Sequence, residues 1–393
     1  MEQIFGDNKR TVLMIGYGII LVLFLAWLIP IAGEKAPARL LQATITGLLV
    51  GGVYALVALG IVVVTKASGV FNFSHGFMML FGGLIFFSFF TTVEISAIAA
   101  FALAAAMVLM LVGAVSFRLF RESRYAIGGV VTVVILTVLM TVGGIQWKWV
   151  HAVVGAVVGA ILIGLLIERL TIRPLIGQPL FSAVIMTLGL AQLLQGITVF
   201  AWGSQDKVLP IFADLQETGI PVPIRIDVKE ALGGVIIVRT ELLVAFVLAV
   251  IAFVGFILFF RYTNIGLAMR ATAENQQLAE STGLRVRAIL AVVWAIAALL
   301  AGVAGVLQGG ATSLTQAIPF LGLRAFPALL LGGIESIGGA LVGGLVIGVV
   351  EQWATLLFPG TQAGTELAPF VVLMVVLVIR PEGLFGEKEI ERI

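Results

Sequence analysis

The feature that constrains this chain most is a succession of apolar runs almost free of charge, each about 20 residues long, the length a helix needs to cross the hydrocarbon core of a bilayer. Backbone surrounded by lipid has no water to bond with, so it must pair its own donors and acceptors in helices or closed barrels. The runs do not alternate polar and apolar residues, which favours helices over barrel strands. Hydrophobic types make up 61% and charged types 11% of the 393 residues, against roughly 25% charged in a water-soluble domain. Length here counts membrane spans rather than soluble domains. The expected fold is an all-α polytopic membrane protein of about 12 transmembrane helices, some broken or short.

The spans fall at 12–32, 40–64, 70–92, 95–117, 125–146, 150–167, 180–202, 240–260, 288–308, 320–333, 338–358 and 366–379. Arg324 and Pro327 inside the short run 320–333 predict a broken or half-spanning helix. With Lys9 and Arg10 on the cytoplasmic side, fifteen of the 23 basic residues lie in inner segments, as the positive-inside rule requires. Both termini are then expected in the cytoplasm. Ala36-Pro37-Ala38 imitates a signal-cleavage site. The run before it exceeds the roughly 7–15 residues of a signal core, so residues 1–39 are read as an uncleaved anchor. Residues 387–393 are expected to form a cytoplasmic tail. The long outer stretch 203–239, with Pro210, Pro221 and Pro223, is either a folded cap or a plain connection.

Several chemistries are excluded. The chain has no cysteine, hence no disulfide, thiolate metal site or thiol nucleophile. A net charge of +2 gives no reason to expect nucleic acid. No Gly-x-x-x-x-Gly-Lys-[Ser/Thr] loop occurs, so ATP is not bound here through such a loop. His75 and His151 are the only histidines, far apart in sequence, and no metal site is expected.

Three segments carry polar chemistry. Thr65-Lys66-Ala67-Ser68-Gly69-Val70-Phe71-Asn72-Phe73-Ser74-His75-Gly76 sets Asn72, Ser74 and His75 between two apolar runs. Polar groups at membrane depth face a cavity or each other, and interrupted helices often bind zwitterionic solutes. The alternative is a cytoplasmic turn whose polar groups cap helix ends. The inner segment 261–287 predicts one helix over 265–282, capped by Asn264 and stopped at Gly283 by a left-handed turn. Such an element suits docking to a partner. Leu331-Gly332-Gly333-Ile334-Glu335-Ser336-Ile337-Gly338-Gly339 lacks the lysine of a phosphate loop and reads as a turn, with Glu335 gating, contacting a cytoplasmic partner or merely solvated. Glycines spaced by four, such as Gly47 and Gly51 or Gly344 and Gly348, permit close helix contact in lipid. Leu49-Val50-Gly51-Gly52 returns as Leu341-Val342-Gly343-Gly344, which is either an inverted repeat or a coincidence of composition.

The run from Thr46 through Tyr54 and Gly60 to Phe71-Asn72-Phe73-Ser74-His75-Gly76 resembles the N-terminal signature of permeases of the branched-chain amino acid ABC importer family, nearest the LivH type. Ile167-Glu168-Arg169-Leu170-Thr171-Ile172-Arg173-Pro174 is similar to that family's inner loop. The stretch from Gly266 through Arg270, Glu274 and Ala279 to Gly283 resembles its coupling loop, although Gln277-Leu278-Ala279 stands where Glu-Ala-Ala is common. The tail Arg380-Pro381-Glu382-Gly383-Leu384-Phe385-Gly386 completes the match. The resemblance implies a transporter domain over 40–386, with an inserted helix pair at about 95–146 and coupling segment 261–287. It also implies a second permease subunit, two ABC ATPase subunits that bind ATP and magnesium, and a periplasmic substrate-binding protein, all at the bacterial inner membrane. The solute would be a branched-chain or similar small amino acid; relatives that carry urea or short amides give the alternative. Implied coupling residues are Gly266, Arg270, Glu274, Ala279 and Gly283. A stand-alone secondary transporter is disfavoured because the spans hold so few carboxylates or cations. A membrane enzyme is disfavoured for want of nucleophiles and acid–base pairs.

Overall fold

The computed structural model describes residues 37–91, 95–115, 123–142, 147–175, 178–212, 223–360 and 362–386. The expected first span and the tail 387–393 lie outside them. The described helices are α1 (Pro37–Ser68), α2 (His75–Thr91), α3 (Ala97–Val115), α4 (Ser123–Thr141), α5 (Lys148–Ile167), α6 (Leu180–Trp202), the short α7 (Lys229–Leu232), α8 (Thr240–Tyr262), α9 (Asn264–Glu274), α10 (Gln276–Ser281), α11 (Val286–Ala311), α12 (Ile318–Gly332), α13 (Ile337–Leu357) and α14 (Gln362–Ile379). Among the described residues eight helices are long and apolar enough to cross a membrane. Three shorter apolar helices, His75–Thr91, Ile318–Gly332 and Glu366–Ile379, occupy the remaining expected spans after the first. The chain is therefore a multi-pass helical membrane protein. The strands among the described residues form a hairpin of β1 (Ile224–Val228) and β2 (Gly234–Val238), paired antiparallel from Ile224 opposite Val238 to Val228 opposite Gly234, and an isolated bridge joins Lys207 to Leu314. Part of the stretch 203–239 is thus a folded element.

Of the two alternatives for the run 320–333, a break is not found, and a short helix is. Helix α12 is short but continuous through Arg324, with Pro327 inside it. Proline deletes a single backbone donor, and neighbouring groups in a bundle tolerate that loss.

The chain divides into two compact units: one from the described parts of Met1–Ala58, Ala213–Val247 and Arg324–Ile393, the other from those of Leu59–Phe212 and Leu248–Leu323. In the second, α2 packs on α11 and α5, while α3 and α4 pair and lean on α5. Trp294 of α11 is fully buried. The outer faces of α3 and α4 expose Ile98, Phe101, Ile127 and Val130, as helices in lipid do.

Glycine sets how closely these helices meet. A Cβ on Gly82 of α2 would lie 2.5 Å from Gly302 Cα on α11, and one on Gly305 would collide with the Met79 carbonyl. The first unit has a matching seam. There a Cβ on Gly51 of α1 would sit 2.7 Å from the Gly344 oxygen of α13, and one on Gly348 would strike Gly47 and Gly51. The two Leu-Val-Gly-Gly copies therefore face each other across this seam. Lipid tails are as apolar as leucine, so close backbone packing supplies the attraction between helices.

Gly305→Ala should lower the thermal midpoint of the purified protein in detergent, because the added methyl overpacks a backbone contact at about 1–3 kcal/mol. Gly189→Ala, where a Cβ meets nothing within 4 Å, should leave it unchanged or slightly raised. Equal midpoints for the two variants would show that the seam does not set stability.

Candidate functional site

Helix α1 stops at Ser68 because the chain turns left-handed at Gly69, whose φ is +68°. Residues 69–74 are irregular, and α2 begins at His75. Asn72 holds this interruption together: its Oδ1 accepts from the Ser74 backbone N–H (3.0 Å) and from Ser74 Oγ (2.6 Å), and its Nδ2 meets Met78 Sδ at 3.3 Å. An asparagine side chain that bonds two residues onward replaces a turn's own backbone bond. Asn72, Ser74 and His75 are all buried. The structure thus brings these three expected site residues together, two of them spent on each other. His75 differs. Its ring lies against Gly60, where a side chain would collide with it, and neither ring nitrogen has a hydrogen-bond partner among the described residues. A buried polar ring without partners needs explanation.

The inner segment is not the single helix expected. It is two short helices, α9 and α10, meeting at Asn275, whose backbone is extended (φ −160°, ψ 109°). The caps also differ. Thr263, not Asn264, accepts from Gly266 N at 2.9 Å to start α9, and Asn275 Oδ1 accepts from Leu278 N at 2.9 Å to start α10. A side chain that caps the next helix competes with continuation of the previous one. The expected stop is present: Gly283 has φ +89°, its N–H bonds Glu280 O (3.0 Å), and the Leu284 N–H bonds Ala279 O (3.1 Å). That is a Schellman ending. Gly266 is buried where a Cβ would strike the Phe260 carbonyl, and Arg270 donates back to the Phe260 and Arg261 carbonyls. Ala279 is buried and Glu274 exposed. Of the expected coupling residues, Gly266, Arg270 and Gly283 shape the element, while Ile265, Leu267 and Leu278 present exposed apolar side chains.

The Glu335 turn follows Gly333 (φ +105°), and Glu335 is exposed. The tail folds onto it, with Leu384 N donating to Leu331 O (2.8 Å) and Phe385 N to Gly332 O (3.0 Å).

A cluster not anticipated from sequence lies along α13. Glu351, on the buried face of that helix, accepts from the Tyr54 hydroxyl of α1 at 2.7 Å and pairs with Arg324 of α12 at 3.3 Å. Arg324 also approaches Glu366 of α14 at 3.8 Å. Nearby, Trp353 Nε1 donates to Thr44 Oγ1 at 2.9 Å. The signal is present in sequence as one carboxylate within an apolar span and one cation in the preceding helix, which is a functional indication in lipid. Counting basic residues by side assigns Arg324 to an outer flank, and averaging hydropathy over a span hides Glu351.

The sequence pattern of the family described as branched-chain amino acid transport system permease component matches residues 121–379. The chain belongs to this permease family. It is 30% identical over 355 residues to the high-affinity branched-chain amino acid transport system permease protein BraD of Pseudomonas aeruginosa, covering 90% of this chain and 98% of that protein. It is 28% identical over 359 residues to LivH of Escherichia coli K12, covering 90% and 97%. No solved structure matches. The chain is therefore a transporter permease component.

For this permease, Asn72→Ala strands the buried Ser74 N–H and hydroxyl and should cost about 1–3 kcal/mol. Asn72→Ser keeps a neutral, shorter acceptor that can make the same turn and should recover part of that in thermal-shift measurements. If both variants melt like the parent, Asn72 does not hold the interruption.

Proposed function

We propose that the chain is the permease subunit of an ATP-driven importer of branched-chain or similar small amino acids in the bacterial inner membrane. It would work with a second permease, two ATPase subunits and a periplasmic binding protein that delivers the solute. Family membership, with full-length relatives whose names specify branched-chain amino acid transport, carries this reading. ATP and magnesium belong to the ATPase partner. The distribution of basic residues supports both termini lying in the cytoplasm, with α9 and α10 on the side of the ATPase.

The α9–α10 element supports the coupling role. A motor's closure can move the spans only through a part too stiff to absorb it. Two capped helices with a Schellman stop are stiff, Arg270 binds them to the end of α8, and α9 and α10 both pack on α11. Ile265, Leu267 and Leu278 are exposed apolar contacts for a partner groove. The interruption at residues 69–74, with the unpartnered His75 ring behind it, is the proposed wall of the solute path, and the Glu335 turn the proposed inner gate.

In proteoliposomes, amino acid uptake should require ATP and the ATPase subunits. Robust uptake by this chain alone, driven by an ion gradient, would sink the importer reading. Ala273→Pro removes the bond to the Met269 carbonyl and clashes with it, costing α9 about 3 kcal/mol. Uptake and solute-stimulated ATP hydrolysis should fall together, by at least about tenfold, with the binding protein's own affinity unchanged. Transport at the parental rate by the Ala273→Pro complex would remove α9 as the transmitting element.

A further inference from the structure

The cluster of Tyr54, Glu351, Arg324 and Glu366 is graded from inside to outside. The Glu351 side chain is 6% exposed, Arg324 35% and Glu366 59%. The inner edge is fixed: Glu351 Oε2 takes the Tyr54 hydroxyl at 2.7 Å and Oε1 takes Arg324 Nη1 at 3.3 Å. The outer edge is not. Nη2 stands 3.8 Å from Glu366 Oε1, beyond hydrogen-bond distance. A guanidinium carries five donors in a flat fork that matches a carboxylate with two parallel bonds. One face of Arg324 is thus anchored, and the other faces a carboxylate that attracts it without bonding it.

Neutralising buried Glu351 requires one cation and no second carboxylate. Glu366 makes the cluster negative by one charge and keeps the outer edge of Arg324 loosely paired. A zwitterion fits that arrangement. Its carboxylate can take the fork from Glu366 with better geometry, and Glu366 then faces its ammonium. Net charge does not change, so no additional uncompensated charge enters the membrane. Leu367 and Phe370, exposed beside Glu366 on α14, offer apolar surface to an aliphatic side chain.

We infer that the outer edge of Arg324 receives the carboxylate of the transported amino acid, and that Glu366 is the group it displaces. This rests on the importer reading above, and it assigns the contact to residues of α12 and α14. The rival account is that Arg324 only balances Glu351.

The two accounts separate in the complete complex, reconstituted with ATPase and binding protein and supplied with radiolabelled leucine. Rates are normalised to co-purified assembled complex. ATP-dependent uptake by the parent complex tests the importer reading by itself; its absence overturns that reading and this inference with it. Given parental uptake, Arg324→Gln should reduce the rate at least about tenfold, and Arg324→Lys, which keeps the charge but not the fork, should also raise the KM for loaded binding protein. The deciding variant is the double Arg324→Gln, Glu351→Gln, which removes both charges at nearly constant shape. If Arg324 binds the solute, the double variant stays below about one-tenth of the parental rate. If it serves only as counter-charge, the double variant recovers above that level and the inference fails. Should Arg324→Gln alone not assemble, the lysine and double variants carry the decision.

Discussion

Everything in this molecule follows from the need to satisfy backbone bonds without water. Helices meet that need within one segment, so the chain is nearly all helix. Once the backbone is satisfied, lipid offers helices no hydrophobic reason to associate, and contact must come from shape. The chain supplies shape by omission. On α2 and α11 the absence of side chains at Gly82, Gly302 and Gly305 brings main chain against main chain. On α1 and α13, Gly47, Gly51, Gly344 and Gly348 do the same. Only where such seams hold the bundle can other stretches depart from helix.

Those departures each carry their own repair. Between α1 and α2, Asn72 bonds to Ser74 in place of the interrupted ladder. Beyond α5 the chain widens into a π turn over Glu168–Ile172, where Arg173 binds Glu168 through two nitrogens at 2.9 and 3.0 Å. Such turns often mark functional positions. At Asn275 the break between α9 and α10 is bridged by a cap to Leu278 N.

How much of this is legible in sequence depends on whether a cause is local. Span positions are legible, because apolar length fixes them. The interruption at residues 69–74 is legible in part: Asn72 and Ser74 are polar between two apolar runs and Gly69 allows positive φ, although the apolar count alone starts the next span at Val70. The stop at Gly283 follows from the same glycine logic. The break at Asn275 is not legible. Asparagine is tolerated within helices, and only the geometry of Leu278 N shows that it caps rather than continues. Continuity through Pro327 is hidden for the opposite reason, since a proline's local penalty is offset by packing that sequence does not display. The pairing of Tyr54 with Glu351 joins residues 297 positions apart, which no local pattern encodes.

The membrane-embedded carboxylate also shows why burial alone does not identify a binding group. Glu168 and Glu351 are both buried. Glu168 is closed: its two oxygens take two nitrogens of Arg173, five residues away, and that arginine's fork is spent on one partner. The pair needs nothing from outside and reads as a clamp on the π turn. Glu351 divides its oxygens between a tyrosine and one nitrogen of Arg324, leaving the guanidinium's other edge against a carboxylate at 3.8 Å. A bidentate pair releases little by exchanging partners, because the incoming group only replaces bonds already made. A pair fixed on one side and loose on the other gains bonds by exchange, and that gain is available to a passing solute. By this criterion the proposed carboxylate contact fits Arg324 and not Arg173, although both arginines balance a buried glutamate.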